Sequence, residues 1–264
     1  MNKITSAIQS IGKELGKYLP RLYIVREAKG RDGVDGRVIA YVDRSSHISE
    51  QYKTLRTNLY SLSPDKSIKT IAITSSQSWE GKTVTCCNLA VTLSYDKEKR
   101  VLLIDADFRK PAAHSMFGLP EEPGLSEILD GRETTARFTA KPARGDLYII
   151  PAGNAKDDPT GILHPARIEP VISRLKQEFD YIIFDTPPVL EFTDACIVGA
   201  LCDAVIPVVK AASTQEHAIE DMVNLLVEAQ AAPKAFILTN AHHLLDSHYS
   251  FYKYKHLMTY GKKE

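Results

Sequence analysis

The chain has no excess of charge of either sign. Lys and Arg together number 33, and so do Asp and Glu, among 264 residues. That balance removes any global electrostatic case for nucleic acid or an anionic surface, so no nucleic-acid partner is expected. Cysteine is scarce, with only Cys86, Cys87, Cys196 and Cys202, and no C-x-x-C spacing occurs. That pattern favours small core thiols over a disulfide framework. The adjacent pair at 86–87 falls on what reads as a buried helix, where small thiols serve as core residues. There is no internal repeat. There is also no uninterrupted apolar run: the most apolar long stretch, "ACIVGALCDAVIPVVKAA" (195–212), is broken by Asp203 and Lys210. It reads as a helix end, a turn and a buried strand rather than a membrane span. Lys3 is followed by no apolar segment of the kind a secretory signal needs. The expected location is therefore cytoplasmic, with any membrane contact peripheral.

What is present is a regular alternation. "IKTIAIT" (68–74), "RVLLIDAD" (100–107), "LYIIPAG" (147–153), "YIIFDTPP" (181–188), "DAVIPVVK" (203–210) and "AFILTN" (235–240) are short apolar runs with the length of buried strands. Helical patterns lie between them, at 81–95, 124–131, 166–178 and 214–230. Short apolar strands alternating with helices predict an α/β fold, a parallel sheet with helices on both faces. The main domain is expected over 45–240, opening with a Ser-capped helix at 47–62. Residues 1–44 read as an N-terminal helix and a linker. In the helix, Ile4, Ile8, Ile11, Leu15 and Tyr18 share a face that could meet a partner, a membrane surface or its own domain. The linker is the Gly- and charge-rich "AKGRDGVDGR" (28–37). Residues 241–264 read as a flexible tail bearing tyrosines.

The segment "SSQSWEGKTVTC" (75–86) carries the chemistry. It approximates the phosphate-binding pattern G-x-x-x-x-G-K-[ST], with Ser76 at the first glycine position and the bulky Trp79 inside the loop. A strand precedes it and a helix starts near Gly81. That helix would turn its first N–H groups and its positive dipole end toward a phosphate. Lys82 would reach the β- and γ-phosphates, and the Thr83 hydroxyl would ligate Mg²⁺. The remaining loop contacts would come from Ser78, Trp79, Glu80, Gly81 and Val84. Phosphate loops often need positive φ, which a bulky residue resists, so the Trp79 ring should point away from the phosphates.

Three acids close apolar strands: Asp105 and Asp107 after 100–107, and Asp185 after 181–185. In parallel α/β sheets ligands bind beyond the carboxyl ends of the strands. A rigid strand that ends in a carboxylate aims an oxygen ligand at a cation. A single such Asp is more often a cap or turn residue. Three of them beside a phosphate loop predict a nucleotide–Mg²⁺ site.

These motifs resemble those of the bacterial tyrosine kinases that govern capsule and exopolysaccharide synthesis. "SSQSWEGKT", "VLLIDADFRKP" and "YIIFDTPP" are similar to the family's Walker A, Walker A′ and Walker B motifs, a deviant class of P-loop NTPase. "GLSEILDG" (124–131) also resembles a family segment, and "EQYKTLRTNL" (50–59) resembles its E-x-x-R-x-x-R oligomerisation helix. The departures are Ser78-Trp79 where the family has Pro-Gly, Lys53 where it has Arg, and separated tyrosines in place of a long run. The resemblance implies ATP and Mg²⁺ as cofactors, with Thr83, Asp105 and Asp185 around the metal. Lys82, Asp105 and Asp107 would be catalytic, one of the two acids accepting the tyrosine proton. It implies homo-oligomerisation, as a ring, through Glu50, Lys53 and Arg56, and acceptor tyrosines at Tyr249, Tyr252, Tyr254 and Tyr260. Its implied partners are a separate transmembrane polysaccharide co-polymerase as activator and a protein-tyrosine phosphatase, which would hold the chain peripherally at the inner membrane. Two other readings stand beside it. One is a P-loop ATPase switch of the partition or division-site type, although Gln77 occupies that class's signature-lysine position. The other is a catalytically weak adaptor of the membrane co-polymerase.

Overall fold

A computed structural model describes residues 30–65, 67–132, 138–140, 146–155 and 159–241. The amphipathic pattern at 1–20 and the four tail tyrosines lie outside these residues. Seven strands form one sheet: β1 (Thr70–Ser75), β2 (Arg100–Asp105), β3 (Phe138–Ala140), β4 (Asp146–Ile150), β5 (Tyr181–Asp185), β6 (Ala204–Lys210) and β7 (Ile237–Thr239). Their order is β3-β4-β2-β5-β1-β6-β7. All neighbours are parallel except β3 and β4, which pair antiparallel at one edge. The six parallel strands are those expected from the apolar runs; the short β3 is an addition.

The central strands are apolar on both faces because both faces are covered. On one face, Ala72, Leu102, Ile104, Ile182, Phe184 and Val205 pack under four helices. These are α5 (Leu125–Leu129), α7 (Pro165–Glu178), α8 (Asp194–Leu201) and α9 (Glu216–Glu228). On the other face, Ile71, Ile73, Val101, Leu103, Ile183 and Ile206 pack under α1 (Ile39–Val42), α2 (His47–Leu62), α3 (Lys82–Ser94) and α4 (Ala113–Met116). A further one-turn helix, α6 (Pro159–Ile162), precedes α7. Successive strand residues alternate between the two cores, as the period-two geometry of a strand requires.

Helix α3 is almost entirely buried, from Thr85 to Ser94. It lies on the sheet and is itself roofed by α1 and α2. Its run of small residues, with Cys86 and Cys87 as buried free thiols, permits that close packing. The capping serine of α2 is Ser46, whose side chain accepts a hydrogen bond from the Ser49 N–H at 3.1 Å.

The N-terminal boundary at residue 44 needs correction over residues 30–44. Val34, Val38 and Ala40 are buried in the same core as α3. Asn88 of α3 fixes this segment from both sides, accepting from the Ala40 N–H and donating to the Arg37 carbonyl, each at 2.9 Å. The Gly-rich "GRDGVDGR" reads as a linker because its one valine, Val34, is isolated, yet Val34 is buried in the core that holds α3. Among the described residues no helix is long and apolar enough to cross a membrane.

Candidate nucleotide-binding site

Strand order places β1 between β5 and β6, and β5 between β2 and β1. The loop that leaves β1 is therefore flanked by the ends of β5 and β6, with the end of β2 one strand further away. That loop, 76–81, makes a left-handed excursion. Trp79 holds φ 68° and Gly81 holds φ 96° as the residue before α3. Gly81 suits that conformation at no steric cost, whereas Trp79 does not. The Trp79 ring is 85% exposed, so it points away from the protein rather than into the loop. No side chain caps α3. Its first N–H groups and dipole are left to an external acceptor.

Lys82 and Thr83 open α3, and Lys82 is buried. Asp105 and Asp185 end adjacent parallel strands in register with one another. Both are essentially inaccessible, and Asp107 is nearly so. The three carboxylates differ in how they are bonded. Asp105 is saturated: Oδ1 accepts the Asp107 N–H at 3.1 Å, and Oδ2 accepts the N–H groups of Ala112 and Ala113 at 3.0 and 2.9 Å. Asp107 Oδ1 accepts the N–H groups of Arg109 and Lys110 at 3.1 and 3.0 Å. Asp185 Oδ1 meets the Cys86 thiol at 3.6 Å and the carboxylate faces the Thr83 hydroxyl, while its buried Oδ2 makes no hydrogen bond among the described residues.

Burial pushes the Asp185 carboxyl up to about 6; the Thr83 hydroxyl and Lys82 pull it down, and Asp107 raises it. Burial and the neighbouring Asp185 push Asp105 well above the usual carboxylate range, against the three N–H groups it accepts. A divalent cation reverses that balance. An unpartnered buried carboxylate oxygen beside a threonine hydroxyl is an oxygen donor set that fits Mg²⁺. The uncapped helix and Lys82 fit the phosphates.

The structure thus brings together Lys82, Thr83, Asp105, Asp107 and Asp185, along with Gly81 of the loop and Val84 in the first turn of α3, whereas the N–H and hydroxyl of Ser78 are turned to Glu191. It turns the Glu80 side chain away from any phosphate and into the loop's own backbone. Gln77 N–H donates to Glu80 Oε2 at 2.9 Å, and Ser76 Oγ bonds both carboxylate oxygens. Arg109, two residues after Asp107, has its Nε 3.4 Å from the buried Asp194 carboxylate and its guanidinium over the Phe192 ring. Glu50, Lys53 and Arg56 lie on α2. Lys53 bonds Glu50 at 2.5 Å and the Arg44 carbonyl at 3.1 Å, and Arg56 Nη1 donates to the Thr92 carbonyl of α3 at 3.0 Å.

Sequence reasoning missed Glu191, Thr214 and Thr239. Glu191 follows β5 and accepts the Ser78 N–H at 2.9 Å and its hydroxyl at 3.2 Å. Thr214 and Thr239 reach Glu80 from the turn after β6 and the end of β7. No local pattern marks these residues, because they matter only through contacts more than 100 positions away in the chain.

A strand, a left-handed loop and an uncapped helix facing two register-matched acids define the class: a P-loop nucleotide-binding domain. Comparison with known proteins agrees and narrows it. The family model described as the AAA domain matches residues 68–238. The tyrosine-protein kinase YwqD of Bacillus subtilis (strain 168) is 34% identical over 180 residues, which covers 68% of this chain and 76% of that protein. The putative tyrosine-protein kinase CapB of Staphylococcus aureus is 28% identical over 209 residues, or 79% of this chain and 90% of that one. Among solved structures, the chimerical protein CapA2B2 superposes with a TM-score of 0.71 at 26% identity, covering 87% of this chain and 97% of that chain. The chain belongs to the bacterial tyrosine-protein kinase family.

Proposed function

We propose that this chain is an ATP-dependent protein-tyrosine kinase that phosphorylates tyrosines of its own kind and so regulates polysaccharide polymerisation and export. The observation that carries the reading is the unpartnered, buried Oδ2 of Asp185 beside Lys82 and Thr83 at the uncapped start of α3. A structural aspartate would be expected to have found partners. Asp185 instead has the open valence of a ligand.

The residues take separate tasks. The loop N–H groups and Lys82 hold the β- and γ-phosphates of ATP. Thr83 and Asp185 would hold Mg²⁺. The bound metal would neutralise charge on the phosphate oxygens. Asp105 is committed to three N–H groups and shapes the 105–113 turn, so it acts at one remove. Asp107 keeps Oδ2 free of the turn and accepts the proton as the tyrosine oxygen bonds the γ-phosphorus. The bond from that phosphorus to the ADP oxygen breaks, giving phosphotyrosine and ADP. Phosphoryl transfer passes through a loose transition state, so positioning dominates and a modest base suffices.

The acceptors in this reading are Tyr249, Tyr252, Tyr254 and Tyr260, offered by one subunit to its neighbour in a homo-oligomeric ring built through α2. The family likeness supports a separate transmembrane co-polymerase as activator, a phosphatase that resets the tail, and a cytoplasmic position at the inner membrane. The test is an anti-phosphotyrosine blot of the full chain incubated with ATP and Mg²⁺. The wild type should label, Lys82→Met should not, and the two should melt alike. Labelling of Lys82→Met at the wild-type level would remove this loop from the reaction.

A further inference from the structure

The phosphate loop contains an acid of its own that nucleotide binding does not explain. Glu80 is only 5% exposed. Its carboxylate accepts the Ser76 hydroxyl at 3.2 and 3.0 Å, the Gln77 N–H at 2.9 Å and the Thr214 hydroxyl. Its carbonyl accepts the Thr239 hydroxyl at 2.8 Å. Thr214 Oγ1 already accepts the Lys210 N–H at 3.0 Å, so its own proton is the one directed at Glu80. The Ala211 N–H donates to the Thr239 carbonyl at 2.9 Å and locks the two anchoring segments to each other.

These bonds bracket Trp79. Residues 76–77 lie on one side of it and Glu80 on the other, and Trp79 itself sits at φ 68°. A bulky residue there is strained, and such conformations persist only where the surroundings over-determine them. Nothing holds the ring, which is exposed. The loop is held instead by the carboxylate next to it.

We infer that Glu80, Thr214 and Thr239 form a positioning strut that keeps the phosphate loop in its anion-binding shape and ties it to the ends of β6 and β7. The inference rests on the reading of this loop as the phosphate site. None of the three residues has to touch the nucleotide. They set the direction of the N–H groups that do.

Trp79 is the chain's single tryptophan, so its emission reports on this loop alone. The full-length chain is titrated with MgADP as wild type, Thr214→Ala and Thr214→Ser. The Trp79 fluorescence anisotropy and acrylamide quenching of the free proteins are recorded, together with their melting temperatures. Losing a hydrogen bond to a charged group is expected to weaken MgADP binding about tenfold in Thr214→Ala. The free loop should show lower anisotropy, the melting temperature should fall by no more than about 5 °C, and Thr214→Ser should restore both the affinity and the anisotropy. Should Thr214→Ala not fold, Thr239→Val removes the second hydroxyl at nearly constant volume and is read the same way. Wild-type affinity in Thr214→Ala, or failure of serine to rescue, would overturn the strut. A wild type that binds no MgADP would overturn the phosphate-site reading instead, and unchanged Trp79 anisotropy in Thr214→Ala would then still count against the strut.

Discussion

At position 79 the backbone and the side chain want different things. The loop needs φ 68° there, and tryptophan supplies nothing in return, because its ring is 85% exposed. Glycine would relieve the strain but add freedom to the unfolded chain, and the two effects largely cancel. A β-branched residue would meet the strain in full. Trp79→Val is therefore expected to be about 1 kcal/mol less stable than Trp79→Gly, a difference of roughly 3 °C in melting temperature for a domain of this size. Calorimetry that found the opposite order would show that the loop does not hold its left-handed turn. The sequence made this residue conspicuous but could not explain it: Trp79 breaks the glycine pattern, while the compensation comes from Glu80, Thr214 and Thr239. Asp185, in contrast, was visible from its place at the end of an apolar strand. What could not be read was the division of labour among the acids, since only the fold shows Asp105 saturated and Asp185 Oδ2 bare.

At the scale of elements, α2 packs on α3 through one face, and the proposed assembly would use another. Arg56 donates to the carbonyl of Thr92, and its Nε is buried. Arg56→Ala should thus cost about 1–2 kcal/mol in denaturant unfolding, through loss of the α2–α3 bond and of packing. Lys53 pairs with the exposed Glu50, and Lys53→Ala should change stability by less than about 0.5 kcal/mol. A test of assembly through α2 therefore belongs to Glu50→Ala with Lys53→Ala. Loss of the oligomer by light scattering in that double variant is the expected result. At the opposite end of the sheet, Asp203 joins β1, β6 and α7. It accepts the N–H groups of Lys69 and Thr70, the Thr70 hydroxyl and the Lys176 ammonium, at 2.6 to 2.9 Å. Burial raises its pKa, but Lys176 and the Thr70 and Lys69 N–H groups outweigh that and leave it depressed. A depressed acid stabilises the fold above its unfolded pKa and loses that contribution as pH falls through its folded value. Asp203→Asn should accordingly lower the melting temperature at pH 7, with the gap to wild type closing as the pH drops below the carboxylate range. A gap that stays constant into acid would rule out the charge as the source.

Across the whole molecule, the six parallel strands were legible because each is an apolar run too short for a helix and bounded by turns. The antiparallel β3 was not, being three residues long, and neither was the docking of residues 30–44, whose buried valines have no periodicity. The tail lies outside the described residues, and its role is argued from charge. Residues 248–264 carry four lysines and one glutamate. Each phosphate adds about −1.5 to −2, so four phosphotyrosines would turn the tail from a formal +3 to roughly −3 to −5. An anionic tail would be repelled by a site lined with Asp105, Asp107 and Asp185, and its release would loosen the assembly. Replacing Tyr249, Tyr252, Tyr254 and Tyr260 with Phe should hold the larger assembly in the presence of MgATP, as read by light scattering. Dissociation equal to wild type would place the switch elsewhere.

The central claim is that the loop at 76–83 and the strand-end acids transfer a phosphoryl group from ATP to tyrosine. Its most direct test is phosphopeptide mass spectrometry of the full chain after incubation with ATP and Mg²⁺, set beside Asp185→Asn. The account predicts phosphotyrosine within residues 242–264 of the wild type and a loss of at least about a hundredfold in the variant. ATP turnover by the wild type with no phosphotyrosine anywhere in the chain would contradict it and make the protein a nucleotide switch.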